Sequence, residues 1–255
     1  MRINRLAAAT LVVCGALLGA APARAGDFSA EQKIEIGAIV HDYLLNNPEV
    51  VKDAIDALEK KEKVIQAAAR EKSLDSDADR MFRSQSQAVV GNPDGDVTIV
   101  EFFDYNCGYC KQSLANVAKL VESDPKVRVV LKDFAILGPD SVEAAEVATA
   151  VRKQLNPQKF WEFHKRLLGT RGHVGKAQAI ALAKDLGADP DQLEKDAKSP
   201  GTHQALTEVE QLADEMKFDG TPAWVIGKEA FVGGVSYASL KAKVDNVRKC
   251  GKTAC

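Results

Sequence analysis

The segment Cys107-Gly108-Tyr109-Cys110 lies between a strand-like and a helix-like stretch, and this placement constrains the fold more than any other feature. Residues 97–103 are β-branched or aromatic, which predicts a strand, whereas residues 111–121 carry apolar side chains at helical spacing. Cys107 is therefore expected in the first turn of a helix, where free backbone N–H groups and the helix dipole favour a thiolate. Because a thiolate is the nucleophile of disulfide exchange and Cys110 could resolve the mixed disulfide, the pair predicts thiol–disulfide redox chemistry.

A zinc half-site and a purely structural disulfide are the alternatives to redox chemistry at this cysteine pair. Zinc requires about four ligands. The cysteines Cys250 and Cys255 lie far along the chain, and the four histidines are scattered, so no zinc ligand set is predicted. A structural disulfide closing so short a loop would stabilise little, because the entropic effect grows with loop length. We therefore predict a redox pair that uses no metal and no cofactor.

The first 25 residues have the pattern of a signal peptide. Arg2 and Arg5 precede an apolar run at 6–20, and Ala23-Arg24-Ala25 is typical of a cleavage site. The run is short for a membrane-spanning helix. Cleavage after Ala25 and export to the periplasm are therefore predicted, and the remaining cysteines suit an oxidising compartment.

The charge of the chain argues against a nucleic-acid partner. The whole chain has a formal net charge of −2, and removal of the leader makes the balance more negative. A general nucleic-acid binder would present a basic surface. The length that remains after cleavage suffices for one domain with an accessory element.

Residues 26–71 are predicted to form an N-terminal helical arm. Two short amphipathic helices cannot bury an apolar stripe alone, so we expect an oligomerisation arm; the alternative is packing on the chain's own domain. The residues expected between chains are Ile36, Val40, Tyr43, Val51, Ile55, Leu58 and Ile65. The polar stretch 72–90 is predicted to be a linker, helical in part.

Residues 91–250 are predicted to form the catalytic domain, followed by a short tail at 251–255. The pattern is strand–helix–strand, then a mostly helical insertion at about 138–219, then strand–strand–helix. This order predicts an α/β sheet with a helical insertion.

This order resembles the thioredoxin fold, and the large helical insertion is similar to that of the DsbA-like branch. The resemblance covers about residues 91–249 and depends on the run 101–111 and on Thr221-Pro222 at the start of the later hairpin. It implies that Pro222 is a cis-proline against the Cys107–Cys110 pair. It also implies that Thr221, Pro222, Gly108 and Tyr109 contact the substrate.

Within the family, Gly108-Tyr109 and Thr221 resemble the DsbC-type isomerases, and the arm resembles that of the oligomeric suppressor-of-copper-sensitivity C (ScsC) proteins. The resemblance implies isomerisation or reduction of wrong disulfides in exported proteins, a membrane thiol reductase that recycles the dithiol, and a homo-oligomer, with a trimer favoured over a dimer. Two alternatives stay open: a dithiol oxidase of DsbA type, and a copper(I)-handling protein that uses the soft thiolates.

Glu101 is a carboxylate in an otherwise apolar strand. Strand alternation places it on one face with Ile99 and Phe103, which predicts a half-buried acid beneath the cysteines; the alternative is an exposed strand glutamate. The resemblance implies that this acid relays the proton of Cys110, a role that a buried carboxyl with a raised pKa would suit.

His164 and the last two cysteines are expected to have structural roles. His164 lies among apolar residues of a helix and is expected at the edge of the core. Cys250 and Cys255 are expected to form a local disulfide that pins the tail, the alternative being a second exchange site or a copper(I) thiolate pair.

Overall fold

The computed structural model describes residues 28–84 and 86–255, so the signal peptide predicted at 1–25 lies outside the described residues. The chain divides into two units after Leu58. In the described part of the chain, no helix combines the length and apolar character needed to cross a membrane.

The N-terminal unit contains helix α1 (Ala30–Asn46) and the start of helix α2 (Glu49–Ser76). Ser29 caps α1, and its side chain and that of Gln32 each bind the other residue's backbone N–H. None of the residues of α1 is buried. All seven apolar residues predicted as contacts between chains have exposed side chains, the last of them further along α2: Ile36, Val40, Tyr43, Val51, Ile55, Leu58 and Ile65.

The second unit is built on a five-stranded sheet of order β1-β3-β2-β4-β5 within the described residues. Its strands are β1 (Ala88–Gly91), β2 (Val97–Phe103), β3 (Val127–Asp133), β4 (Ala223–Ile226) and β5 (Glu229–Val232). Strands β2 and β3 are parallel and the other pairs are antiparallel. The predicted α/β fold is therefore confirmed, with β1 as an additional edge strand.

The second unit also has seven larger helices among the described residues, some on the sheet and some on other helices. They are α4 (Gly108–Ser123), α5 (Pro139–Val151), α6 (Pro157–Leu168), α7 (Lys176–Asp185), α8 (Pro190–Ala197), α9 (Pro200–Glu215) and α10 (Tyr237–Cys250). Helices α5 to α9 form the insertion between β3 and β4. One core lies between the sheet and α4, α10 and helices α5 to α8, and a smaller core lies between the opposite face and α9.

The stretch 72–90, predicted to be a linker that is helical in part, contains helical segments in the structure. Helix α2 continues to Ser76, and a short helix α3 (Ala78–Phe82) follows it. Leu74 and Met81 are buried in the smaller core, and the guanidinium of Arg70 donates to the carbonyl oxygen of Met216 at 3.0 Å. Much of this segment is therefore packed, because its few apolar residues fall on the face that meets the sheet. The periodicity of so short and polar a stretch did not show this.

Candidate active site

Cys107 lies where the chain turns from strand β2 into helix α4. Its backbone is extended (φ −74°, ψ 120°) and it occupies the N-cap position of α4. The backbone N–H of Cys107 donates to the carbonyl oxygen of Asp104 at 3.0 Å, which closes a tight turn over residues 104–107. The strand, the turn and the helix together place the Cys107 sulfur at the free N–H groups of α4.

The environment of Cys107 stabilises its thiolate. Hydrogen bonding from the Cys110 side chain is the largest cause, the Thr221 side chain and the backbone N–H groups of Cys110 and Tyr109 add to it, and burial opposes them. Together they lower the pKa of Cys107 to about 5. At neutral pH Cys107 is therefore a thiolate, the reactive form of cysteine.

Cys110 lies one helical turn further along α4 and is fully buried. Its backbone N–H is 3.4 Å from the Cys107 sulfur. Burial, the hydrogen bond to Cys107 and the negative charge of Glu101 raise the pKa of the Cys110 thiol well above its ordinary range. Both cysteines are free thiols in this structure, which therefore describes the reduced pair.

Glu101 lies on β2 beneath the two cysteines, in register with Leu131 of β3 and Trp224 of β4. It is 2% exposed, which is more buried than the half-buried position predicted, and its Oε1 atom has no hydrogen-bond partner among the described residues. Burial, and secondarily the charge of Cys107, raise the pKa of Glu101 to about 8. The carboxyl group is therefore mostly protonated at neutral pH.

Residues 221 and 222 approach the cysteines from the start of β4. The Thr221–Pro222 peptide bond is cis, and the Thr221 carbonyl oxygen lies 3.1 Å from the Cys107 sulfur, from which it accepts a hydrogen bond while that sulfur is protonated. The antiparallel pairing of Phe102 with Ala223 brings this segment alongside the end of β2. The topology therefore brings two of the four residues predicted to contact the substrate, Thr221 and Pro222, to the Cys107 sulfur.

A shallow cavity of about 360 Å³ lies beside the pair. Its lining residues are Tyr109, Gln112, Ser113, Asn116, Gly234, Val235 and Ser236. Tyr109 is 64% exposed, so its ring is available to a bound chain. Gly108 is also exposed, and a Cβ atom added there would meet nothing within 4 Å.

Three polar residues around the turn were not singled out from the sequence: Asp104, Asn106 and Ser141. Asp104 and Ser141 are each 1% exposed, and all three are joined by hydrogen bonds. Asp104 and Asn106 lie in the sequence between a buried strand and the cysteines. Polar residues in that short segment could have indicated a hydrogen-bonded turn. Ser141 is 35 residues from Asn106 and gives no such signal.

The two remaining groups are His164 and the pair Cys250 and Cys255. His164 is buried, more deeply than the core edge predicted, and its Nδ1 atom is 3.2 Å from the hydroxyl of Tyr105. Burial lowers the pKa of His164 to about 3, so the ring is neutral. A disulfide joins Cys250 and Cys255 at the end of α10, and both residues are exposed. In the part of the chain that the structure describes, no group of three or more His, Cys, Asp or Glu residues could hold a metal ion.

Two protein families match the chain. The DSBA-like thioredoxin domain matches residues 98–245, and the copper resistance protein ScsC N-terminal domain matches residues 32–63. Among curated proteins, a Na⁺/H⁺ antiporter NhaA 1 of Salinispora arenicola is 28% identical over 61% of this chain. The match spans 24% of the antiporter's own length.

The solved structures are matched over a larger share of their own length than the antiporter is. A thioredoxin-like oxidoreductase from Silicibacter pomeroyi is 38% identical, with a TM-score of 0.64 over 68% of this chain and 98% of that one. A mutant of Proteus mirabilis ScsC with a deletion in its linker is 26% identical, with a TM-score of 0.64 over 89% of this chain and 99% of that one. These likenesses confirm the thioredoxin fold with a DsbA-like insertion.

Proposed function

The chain belongs to the DSBA-like thioredoxin domain family, and on that premise we propose that it is a periplasmic oxidoreductase that isomerises or reduces non-native disulfides in exported proteins. The observation that carries the proposal is the opposite environment of the two cysteines. Cys107 has a lowered pKa at the helix N-terminus, whereas Cys110 is buried with a raised pKa. In such a pair the Cys107 thiolate attacks a disulfide, while Cys110 stays protonated until it is needed to resolve the mixed disulfide.

The reaction begins when the Cys107 thiolate attacks one sulfur of a client disulfide. The client's other sulfur leaves as a thiolate, and a mixed disulfide joins Cys107 to the client. The client thiolate can then attack another client disulfide and release a second client thiolate. That second thiolate attacks the client sulfur of the mixed disulfide, and Cys107 leaves as a thiolate, which completes an isomerisation without net oxidation. Alternatively, Cys110 attacks the Cys107 sulfur, which releases a reduced client and leaves a Cys107–Cys110 disulfide.

Glu101 is proposed to move the proton of Cys110. The buried Cys110 thiol must lose its proton to become a nucleophile, and the neighbouring acid has a pKa of about 8. A group that titrates near neutral pH can both accept and return a proton. Thr221, Pro222 and Tyr109 are proposed to hold the client chain beside the Cys107 sulfur, because they surround it and Tyr109 is exposed.

The N-terminal unit is proposed to assemble the chain into a homo-oligomer, with a trimer favoured over a dimer. Five exposed apolar side chains of α1 lie along one stripe (Ile36, Ile39, Val40, Tyr43 and Leu44), and the match to the ScsC N-terminal domain covers most of the same helix. Oligomerisation would hold several Cys107 thiolates around one client, which raises their effective concentration. A membrane thiol reductase is proposed to keep the pair reduced.

A pair of matched variants of the full exported chain tests this proposal. Val40→Asp places a charge in the apolar stripe, whereas Ala38→Asp places the same charge on the opposite side of α1. Mass by light scattering and reactivation of scrambled ribonuclease are measured for both. We expect Val40→Asp to give a monomer that loses isomerisation but still oxidises a reduced peptide, and Ala38→Asp to behave as the wild type.

The results that would overturn the proposal are specific. A monomeric wild type at micromolar concentration would reject the oligomer. A wild type that oxidises a reduced peptide rapidly but fails to reactivate scrambled ribonuclease would assign the chain as a dithiol oxidase.

Copper(I) handling is a second candidate, favoured by the name of the family that matches residues 32–63 and by the two adjacent soft sulfurs. Titration of the reduced protein with copper(I) against a competing chelator tests it. An affinity equal to that of a simple vicinal dithiol would reject copper carriage as the main role.

A further inference from the structure

The turn that carries Cys107 is held by side chains that belong to neither the cysteine pair nor the cis-proline segment. Both oxygens of the Asp104 carboxyl group accept two hydrogen bonds each. Oδ1 accepts from the backbone N–H of Asn106 at 2.7 Å and from the Ser141 hydroxyl at 2.8 Å. Oδ2 accepts from the backbone N–H groups of Ile136 and Leu137 at 2.9 and 3.0 Å. One buried side chain therefore ties the turn to the β3–α5 connection.

Asn106 ties the same turn to a second part of the insertion. Its amide oxygen accepts from the backbone N–H of Val174 at 2.8 Å, and its amide nitrogen donates to the Val174 carbonyl oxygen at 2.9 Å. The same nitrogen donates to the Ser141 hydroxyl at 3.0 Å. Because Ser141 contacts both Asp104 and Asn106, the three side chains form one network.

We infer that Asp104, Asn106 and Ser141 are positioning residues for the Cys107 sulfur, forming a clasp that fixes the 104–107 turn against the helical insertion. The physical reason is that Cys107 receives N–H groups from α4 only while its backbone keeps the N-cap conformation. Two hydrogen bonds close the turn itself, the Cys107 N–H bond to Asp104 and the Asn106 N–H bond inside the clasp, and the buried Tyr105 side chain contacts His164. Loosening the clasp would let the sulfur move away from the helix N-terminus.

This role rests on the proposed exchange chemistry at Cys107, but its test does not need a client protein. The measured quantity is the pKa of Cys107 in the reduced full chain, taken from thiolate absorbance near 240 nm and from the rate of alkylation by iodoacetamide as pH changes. The variant is Asn106→Ala. The matched control is Gln154→Ala, because Gln154 also pairs its amide with the N–H and C=O of one residue, Asp189, elsewhere in the insertion.

We expect Asn106→Ala to raise the pKa of Cys107 by about one pH unit or more, which lowers the alkylation rate at pH 5 about fivefold. The reduction potential should become more negative, since a less stabilised thiolate disfavours the reduced form. Gln154→Ala removes a similar amide pairing and should leave the Cys107 titration unchanged. Ser141→Ala, which removes one hydroxyl from the clasp, should shift the pKa in the same direction by less.

Ser141→Ala decides the question if Asn106→Ala does not fold. A folded Asn106→Ala or Ser141→Ala protein that titrates like the wild type would overturn the inference and leave the clasp a purely structural contact. An equal shift in Gln154→Ala would also overturn it, since the effect would then come from general loosening of the insertion. A failure to isomerise disulfides would leave these outcomes unaffected.

Discussion

Replacing the buried carboxyl of Glu101 by an amide should remove a pH-dependent loss of stability. In the folded reduced protein the pKa of Glu101 is about 8, chiefly because burial disfavours the charged form. In the unfolded chain a glutamate titrates at about 4.3. The unfolded state therefore ionises first as the pH rises, and the folded state becomes progressively less favoured between the two pKa values.

The size of this effect follows from the two pKa values. A tenfold change in a protonation equilibrium is worth about 1.4 kcal/mol. At pH 7 the folded wild type should therefore lose roughly 3 to 4 kcal/mol relative to a chain whose side chain at this position stays neutral. The loss is absent below the unfolded pKa, increases with pH, and levels off above about pH 8, where the folded group also ionises.

Glu101→Gln keeps the size of the side chain and does not titrate. Its unfolding free energy, measured by urea denaturation of the reduced protein, should rise relative to wild type by roughly 3 kcal/mol between pH 5 and pH 8. Glu210→Gln, which changes an exposed carboxyl on α9, is the control. Parallel pH profiles for wild type and Glu101→Gln would refute the assignment of Glu101 as a buried, protonated acid.

Three further predictions concern the cysteines, the helix start and the packed segment before the sheet. Alkylation of Cys107 should accelerate as pH rises through about 5 while Cys110 stays unmodified, as read by mass spectrometry; equal labelling of both would contradict their assigned environments. Gly108→Pro should change the unfolding free energy by less than about 1 kcal/mol, because the first helical position tolerates proline; a larger loss in denaturant melts would contradict the open surroundings. Met81→Ala should cost about 2 to 5 kcal/mol in the same assay, because its side chain is 0% exposed; a loss below about 1 kcal/mol would show that the segment does not pack.

The sequence predicted most of the fold because its strongest patterns are local. The strand at 97–103, the helix after the cysteines and the later hairpin were each readable from a few adjacent residues, and the structure has all three. Strand β1 was missed because so few residues beside a glycine-rich turn give too little alternation to show a strand. Its place in the sheet depends on pairing with the distant strand β3, where Val90 lies opposite Val129.

The candidate site likewise has a part that local sequence patterns predict and a part that depends on distant contacts. The placement of the cysteines and Glu101 could be predicted because their setting is one strand and one helix. The clasp could not, because Asn106 meets Val174 across 68 residues and Ser141 across 35. These contacts depend on how the insertion packs against the turn that carries Cys107, and no local sequence pattern predicts that packing.

The position of the insertion has a consequence for when the chain becomes reactive. Cys107 and the Thr221 carbonyl are 114 residues apart, and β4 joins β2 only after all five insertion helices have been passed. Contacts between residues so distant in sequence form late in folding. In a chain that folds from its N-terminus, the strand, turn and helix that chiefly lower the Cys107 pKa would therefore form first, and the sulfur would be reactive before the segment that carries Thr221 and Pro222 arrives.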